Sequence, residues 1–237
     1  MLHLILTALG VGGSTIFGAV LGFAFREKAE KYKLLILAYA AGVMLLAAIN
    51  GLILPAVSLS AALGSLKATV GIFAGGLCIL LPEKIFPRLR ESDTEKRRAI
   101  LTVLAIALHN LPEGIAAGVG FGSGDLHAAV FIAAGIALQN IPEGCVVVAP
   151  LVAIGASPSR AFLVAAFTGV IEIIGTLIGY LAVSVSTAIL PYALSFAGGA
   201  MLYVILCEMM PELSNCEAKV KILICFLSGI ATMLLLA

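Results

Sequence analysis

Eight long apolar segments, separated by short polar stretches, run through the whole chain. A helix that crosses the hydrocarbon core of a bilayer needs about 20 mostly apolar residues. Strands of a transmembrane barrel would instead appear as alternating segments of about 10 residues, and the sequence lacks such segments. The pattern therefore predicts a single all-α domain, residues 1–237, with eight membrane spans. The predicted spans are approximately residues 2–25, 34–54, 67–86, 99–121, 126–154, 161–184, 187–210 and 220–237.

The composition agrees with a membrane protein. The chain has 237 residues, of which 62% are hydrophobic and 11% charged, whereas soluble domains are about 45–50% apolar and about 25% charged. We therefore predict an integral membrane protein whose surroundings are the lipid bilayer. The net charge of +1 gives no indication of a nucleic-acid partner.

The basic residues predict an orientation. All but one of the 14 Lys and Arg residues lie after the odd-numbered spans, and the exception is Lys67. Basic loops stay in the cytoplasm. Both termini are therefore expected on the extracytoplasmic side of the plasma or inner membrane, with several passes between them.

The second and seventh spans resemble each other, with "YAAGVMLLAAINGLILP" in one and "FAGGAMLYVILCEMMPE" in the other. If spans one to three recur as six to eight, each unit has an odd number of spans. The two units would then be inverted around spans four and five, in a 3+2+3 arrangement typical of transporters. Small residues selected for helix packing would produce the same likeness, and both interpretations are open.

A polar frame occurs twice, as "ALHNLPEGIAAG" in span four and "ALQNIPEGCVVV" in span five. On a helix, residues three or four apart share a face, so Glu113 neighbours both His109 and Asn110. The same spacing relates Glu143 to Gln139 and Asn140 in span five.

Each frame also contains a proline, Pro112 or Pro142. A proline ring removes one backbone donor and clashes with the carbonyl four residues earlier. We therefore expect a kink at each position, with carbonyls freed beside the polar frames.

Three acids, Glu113, Glu143 and Glu172, fall near the centres of spans four to six, and no Lys or Arg lies deep in any span. A charge in the middle of a membrane costs at least about 2.5–3.5 kcal/mol. These acids must therefore bind protons or a cation supplied from outside the chain. Imidazole together with carboxylate and amide oxygens suits Zn, Fe, Mn or Co, whereas Ca and Mg prefer oxygen ligands alone.

Three further acids, Glu83, Glu208 and Glu212, lie toward the cytoplasmic ends of spans three and seven. They are either interfacial acids that face water or part of a route by which an ion leaves the site. The sequence leaves both interpretations open.

The frames "HNLPEG" and "QNIPEG", with Glu172 following 29 residues after Glu143, resemble the ZIP (Zrt-/Irt-like) family of divalent-metal transporters, and its bacterial branch in particular. The resemblance implies uptake of a divalent metal into the cytoplasm, with zinc foremost and Fe, Mn, Co or Cd as other substrates. It also implies a homodimer and an elevator-like movement of one helix bundle, with no organic cofactor and no enzymatic activity.

The resemblance further implies a binuclear metal site. One position would use His109, Glu113, Gln139, Glu143 and Glu172. The other would use Asn110, Glu113, Asn140 and Glu143, with the two shared glutamates as bridges. Many family members carry Asp where this chain has Asn140, so the second position loses one negative charge.

Two other functions compete with metal transport. A proton-conducting membrane protein would use the buried acids without metal, although a proton relay does not require the His/Asn/Glu spacing. An intramembrane metal-dependent hydrolase would need a metal with an open position, and zinc proteases typically carry HExxH. The chain has no HExxH motif.

Overall fold

The computed structural model describes residues 2–59, 63–85, 110–153 and 156–237. Within these ranges the chain is helical and contains no β-strand. Seven of the described helices are long and apolar enough to cross a membrane. The prediction of an all-α protein with many spans is therefore confirmed. The predicted fourth span up to His109, together with the loop Arg88–Arg98, lies outside the described residues.

Six of the helices are uninterrupted over their described residues: α1 (Leu2–Ala24), α3 (Gly64–Ile85), α4 (110–122), α5 (Leu126–Ala153), α6 (Pro158–Val185) and α8 (Lys219–Leu236). Two others are composite. Helix α2 comprises Arg26–Leu46, a π-helical turn Ala47–Ile53 and a final piece Leu54–Ser58. Helix α7 follows a 3₁₀ turn, Thr187–Ile189, and comprises Leu190–Tyr203, a π-helical turn Val204–Met209 and Met210–Ser214.

The largest difference from the predicted spans is at the start of α2, which begins at Arg26 rather than at residue 34. Two further differences lie at the π-helical turns. The sequence predicted that the second and seventh spans end at residues 54 and 210, immediately before Pro55 and Pro211, but both helices continue for about another turn. Each proline lies in the first turn of the piece that follows the π-helical turn. The missing N–H of proline is tolerated in a first turn, so the chain changes its hydrogen-bond register there and remains helical.

The helices pack in a defined set of pairs. Helix α1 lies along α5 and α6, α3 lies along α7, and α2 lies along α8 and α5. A stretch of small residues buried in α2 allows this close packing, namely Ala38, Ala40, Ala41, Ala47 and Ala48. Small residues at helix interfaces are typical of membrane proteins, because they let two backbones approach each other. Large apolar side chains such as Phe73 and Leu235, at 68% and 89% exposure, point outward instead, as expected of a surface that faces lipid.

The crossing of α1 and α5 depends on glycine. A Cβ added at Gly18 would overlap the backbone carbonyl oxygen of Ile141, and one at Gly144 would overlap that of Thr15. Because both obstacles are backbone atoms rather than flexible side chains, neither can move aside without shifting a helix. The two helices are therefore held in backbone contact at this crossing.

The crossing of α1 and α5 can be tested with Gly18→Ala. Overpacking a tight contact typically costs about 1–3 kcal/mol, so we expect a lower thermal midpoint for the purified protein in detergent. Gly10→Ala is the matched control on the same helix, because nothing lies within 4 Å of a Cβ added there. Replacing Gly by Ala within a helix is otherwise favourable by about 0.5–1 kcal/mol. Equal midpoints for the two variants would contradict the described packing.

Candidate metal site

Polar side chains are buried at the place where α1, α4, α5 and α6 meet. Six of the predicted ligands are described there, and each is at most 9% exposed: Asn110, Glu113, Gln139, Asn140, Glu143 and Glu172. Thr15 of α1 is buried beside them at 1% exposure. Polar groups at this depth in an apolar protein are costly unless they are bonded, so their contacts indicate what the site can do.

A hydrogen bond connects the two polar frames. The Gln139 side chain on α5 donates from Nε2 to Oε1 of Glu113 on α4, at 2.7 Å. The predicted convergence of the two frames is therefore present in the structure for this pair. Because the Gln139 nitrogen is used in this bond, the amide oxygen of the same side chain remains as an acceptor.

The carboxylate of Glu172 on α6 receives hydrogen bonds from two other helices. Asn140 Nδ2 on α5 donates to Glu172 Oε2 at 2.7 Å. The Thr15 hydroxyl on α1 lies 2.8 Å from Oε1 and 3.0 Å from Oε2. Asn140 Nδ2 also lies 3.4 Å from the carbonyl oxygen of Val11. Helices α1, α5 and α6 are thus connected through one acid.

Glycines bring α4 and α6 together at the same level. A Cβ at Gly114 would overlap the backbone carbonyl oxygen of Glu172, and a Cβ at Gly175 would approach that of Leu111. This contact places Glu113, the residue before Gly114, beside α6. The carboxylates of Glu113, Glu143 and Glu172 are close enough for their negative charges to repel one another.

Several buried oxygens at the site receive no hydrogen bond from any described residue: Asn110 Oδ1, Glu113 Oε2, Gln139 Oε1 and Asn140 Oδ1. Leaving a buried acceptor unsatisfied costs about 1–3 kcal/mol. A set of carboxylate and amide oxygens without donors is suited to a cation, because a cation can interact with all of them at once. Within the described part of the chain, however, no three His, Cys, Asp or Glu side chains are close enough to form a metal-binding group by themselves.

The other predicted site residues have different surroundings. His109 lies outside the described residues, as does the Glu83 side chain. Glu212 is exposed and forms an ion pair with Lys33, with Nζ to Oε1 at 2.6 Å, and Glu208 is half-buried in the π-helical turn of α7. The route past these acids, by which an ion would leave the site toward the cytoplasm, stays a prediction.

The predicted kinks also stay predictions. Pro112 lies in α4 and Pro142 in α5, and α5 continues as one α-helix through its proline.

Thr15 was not predicted from the sequence. A signal was available, since Thr15 and Glu172 are separated by 157 residues, the same spacing that separates Met44 from Met201 in the two similar spans. Extending the comparison of spans two and seven back to spans one and six would have marked Thr15 as the counterpart of Glu172.

The comparisons with known proteins assign a family. The family model described as ZIP Zinc transporter matches residues 87–237. The chain is 43% identical over 155 residues to Zinc transporter GufA from Myxococcus xanthus, covering 62% of this chain and 61% of that protein. It is 42% identical over 156 residues to Zinc transporter ZIP11 from Xenopus tropicalis, covering 63% of this chain and 46% of that protein. The match to Zinc transporter ZupT from Shigella dysenteriae is longer, at 36% identity over 220 residues, covering 88% of this chain and 85% of that protein.

The chain therefore belongs to the ZIP zinc transporter family, and the resemblance seen in its polar frames is confirmed. It is an integral protein of the plasma membrane, and the helices long enough to span a membrane agree with this placement. The matches cover less than two thirds of the length of GufA and ZIP11.

The contact between the two frames can be tested with a double-mutant cycle. We expect Gln139→Met and Glu113→Met each to lower the thermal midpoint of the metal-free protein, because each leaves a buried polar partner unsatisfied. The stability of the double variant should fall by less than the sum of the two single decreases, since residues in contact typically show a coupling energy of about 0.5–3 kcal/mol. Strictly additive losses would argue against the hydrogen bond.

Proposed function

We propose that this protein moves a divalent transition-metal ion, with zinc foremost, into the cytoplasm through the buried site between α4, α5 and α6. The observation that carries the proposal is the pair of carboxylates at Glu113 and Glu172, both at 0% exposure. Between described residues the one ion pair joins Lys33 and Glu212, on other helices. Buried carboxylates that have only neutral donors are suited to a cation, and the zinc transporters among the relatives support the same function.

The hydrogen bonds at the site suggest how an ion is accepted and released. Without an ion, Gln139 donates to Glu113, and Asn140 and Thr15 donate to Glu172. An incoming cation competes with these donors for the carboxylate oxygens. Release toward the cytoplasm requires the acids to regain donors or protons, because deprotonated groups hold metal. We therefore expect metal uptake to depend on pH.

The proposed ligands form two neighbouring positions. The first uses His109, Glu113, Gln139, Glu143 and Glu172, and the second uses Asn110, Glu113, Asn140 and Glu143. The hydrogen bond from Asn140 to Glu172 supports placing the two positions side by side, because it joins a member of each. The acceptor oxygens without donors on Asn110 and Gln139 support a ligand role for both amides.

We also propose eight spans in an inverted 3+2+3 repeat with extracytoplasmic termini. A shift of 157 residues relates Gly18 to Gly175, and a shift of 30 relates their backbone contacts, Ile141 and Leu111. The 157-residue shift also relates the first residues of the two π-helical turns. The packing of α2 on α8 has its counterpart in the packing of α7 on α3. The homodimer and the elevator-like movement implied by the family resemblance stay predictions.

The transport proposal can be tested with Glu113→Gln in proteoliposomes loaded with a zinc indicator. The substitution removes a charge at nearly constant volume. Even residues that only orient metal ligands typically change affinity by about 10–100-fold, so we expect zinc uptake to fall at least about tenfold. Glu217→Gln is the control, because Glu217 is exposed and lies between α7 and α8. Undiminished zinc uptake by Glu113→Gln would show that zinc does not pass through the proposed site. A proton current without zinc flux in the wild type would favour the proton-conducting alternative.

Asn140→Asp tests the second position. The substitution replaces the donor to Glu172 Oε2 by a carboxylate, so the metal-free variant should have a lower thermal midpoint at neutral pH. Zinc should then bind more tightly and raise the midpoint more than in the wild type, because a ligand that binds the native state stabilises it. Zinc affinity and stoichiometry measured by isothermal titration would check this expectation. Values equal to those of the wild type would show that position 140 does not contact metal.

A further inference from the structure

We propose that Thr15 is a positioning residue that fixes the carboxylate of Glu172 in the orientation in which it receives the transported cation. The inference rests on the proposed metal transport. Thr15 belongs to neither polar frame and is the described hydroxyl that bonds an acid of the site.

The behaviour of Thr15 differs from that of the other buried threonines. Thr168 donates to the carbonyl of Ala165, and Thr176 donates to the carbonyl of Glu172, within α6 itself. A hydroxyl inside a helix commonly bonds a carbonyl one turn earlier. Thr15 instead directs its hydroxyl across the helix interface, to a side chain 157 residues away. Its contact therefore serves the partner acid rather than the local backbone.

The packing of the Thr15 backbone and the rotamers of its side chain restrict where the hydroxyl can lie. The Thr15 carbonyl lies against Gly144, where a Cβ would overlap it, so the α1 backbone is in close contact with α5 at this level. Threonine also has few side-chain rotamers in a helix, because its Cβ is branched. The donor is thus held in place by packing before any ion arrives.

The hydrogen bonds leave Glu172 able to bind an ion. Oε2 accepts from Asn140 and lies within reach of Thr15, whereas Oε1 lies near the Thr15 hydroxyl at 2.8 Å. A hydroxyl has one proton, so it bonds one oxygen at a time, and each carboxylate oxygen has about two acceptor directions. At least one direction on Oε1 therefore remains for a cation. Carboxylates that ligate metals are commonly oriented by such hydrogen bonds.

The proposed repeat accounts for the pairing. At the 157-residue spacing, Thr15 in the first repeat occupies the position that Glu172 has in the second. The two equivalent positions face each other where α1 and α6 cross, and Gly12 and Gly169 also meet there. One copy therefore supplies the donor and the other the acceptor.

Thr15→Val tests the inference, because it removes the hydroxyl at nearly constant shape. We expect zinc binding to the purified protein to weaken by about 10–100-fold, with a matching rise in the KM of zinc uptake. The visible absorption bands of bound Co²⁺ should also shift, because the ligand geometry changes. Thr15→Ser should restore zinc affinity and the cobalt spectrum. Thr168→Val is the matched control, since Thr168 is equally buried and bonds only backbone, and its zinc affinity should equal that of the wild type.

The outcomes separate this inference from the proposed function. Wild-type zinc affinity and cobalt bands in Thr15→Val would overturn the role of Thr15 while leaving metal transport intact. A wild-type protein that neither binds nor transports zinc would overturn the proposed function itself. Should Thr15→Val fail to fold, Thr15→Ala replaces it, because alanine adds no bulk. Equal zinc affinities for Thr15→Ala and Thr15→Ser would then overturn the inference.

Discussion

Two acids that are fully buried among apolar helices, Glu113 and Glu172, place the strongest constraint on this structure. A carboxylate in such surroundings needs hydrogen-bond donors, a proton or a cation. The fold supplies donors from neighbouring helices, with Gln139 on one acid and Asn140 and Thr15 on the other. Helices α1, α4, α5 and α6 must approach closely for these bonds to form. The glycines at their crossings follow from that requirement, because a Cβ there would keep the donors out of reach.

The donors on these acids are neutral side chains, and this matters for transport. A lysine or arginine in their place would cancel the charge permanently and compete with any metal ion. An amide or hydroxyl stabilises the carboxylate more weakly, since hydrogen bonds contribute about 0.5–3 kcal/mol. On the proposed function, the protein therefore remains folded without its substrate and still attracts a divalent cation. The amide oxygens without donors on Gln139 and Asn140 lie on the same side chains that donate to the acids.

The sequence predicted the local parts of the site better than its long-range contacts. The frames around Glu113 and Glu143 could be placed on one helix face because helical spacing is fixed, and Glu172 was found because a mid-span acid is rare. Thr15 was missed because a threonine in an apolar helix is usually bonded to its own backbone. The continuation of α2 and α7 past Pro55 and Pro211 was missed for another reason. Hydropathy does not report a change of hydrogen-bond register, so it gave no reason to extend either span past its proline.

The neutral side chains of Asn140 and Thr15 bear on how many ions the proposed site can hold. Three carboxylates leave one negative charge uncompensated with a single divalent ion bound, and one positive charge in excess with two. An aspartate at position 140 would add the fourth carboxylate and balance two divalent ions. With Asn140 in this place and Thr15 opposite Glu172, the chain has neutral donors at two positions that could have carried acids. The second ion would therefore enter a site with too little negative charge and would be the first to leave.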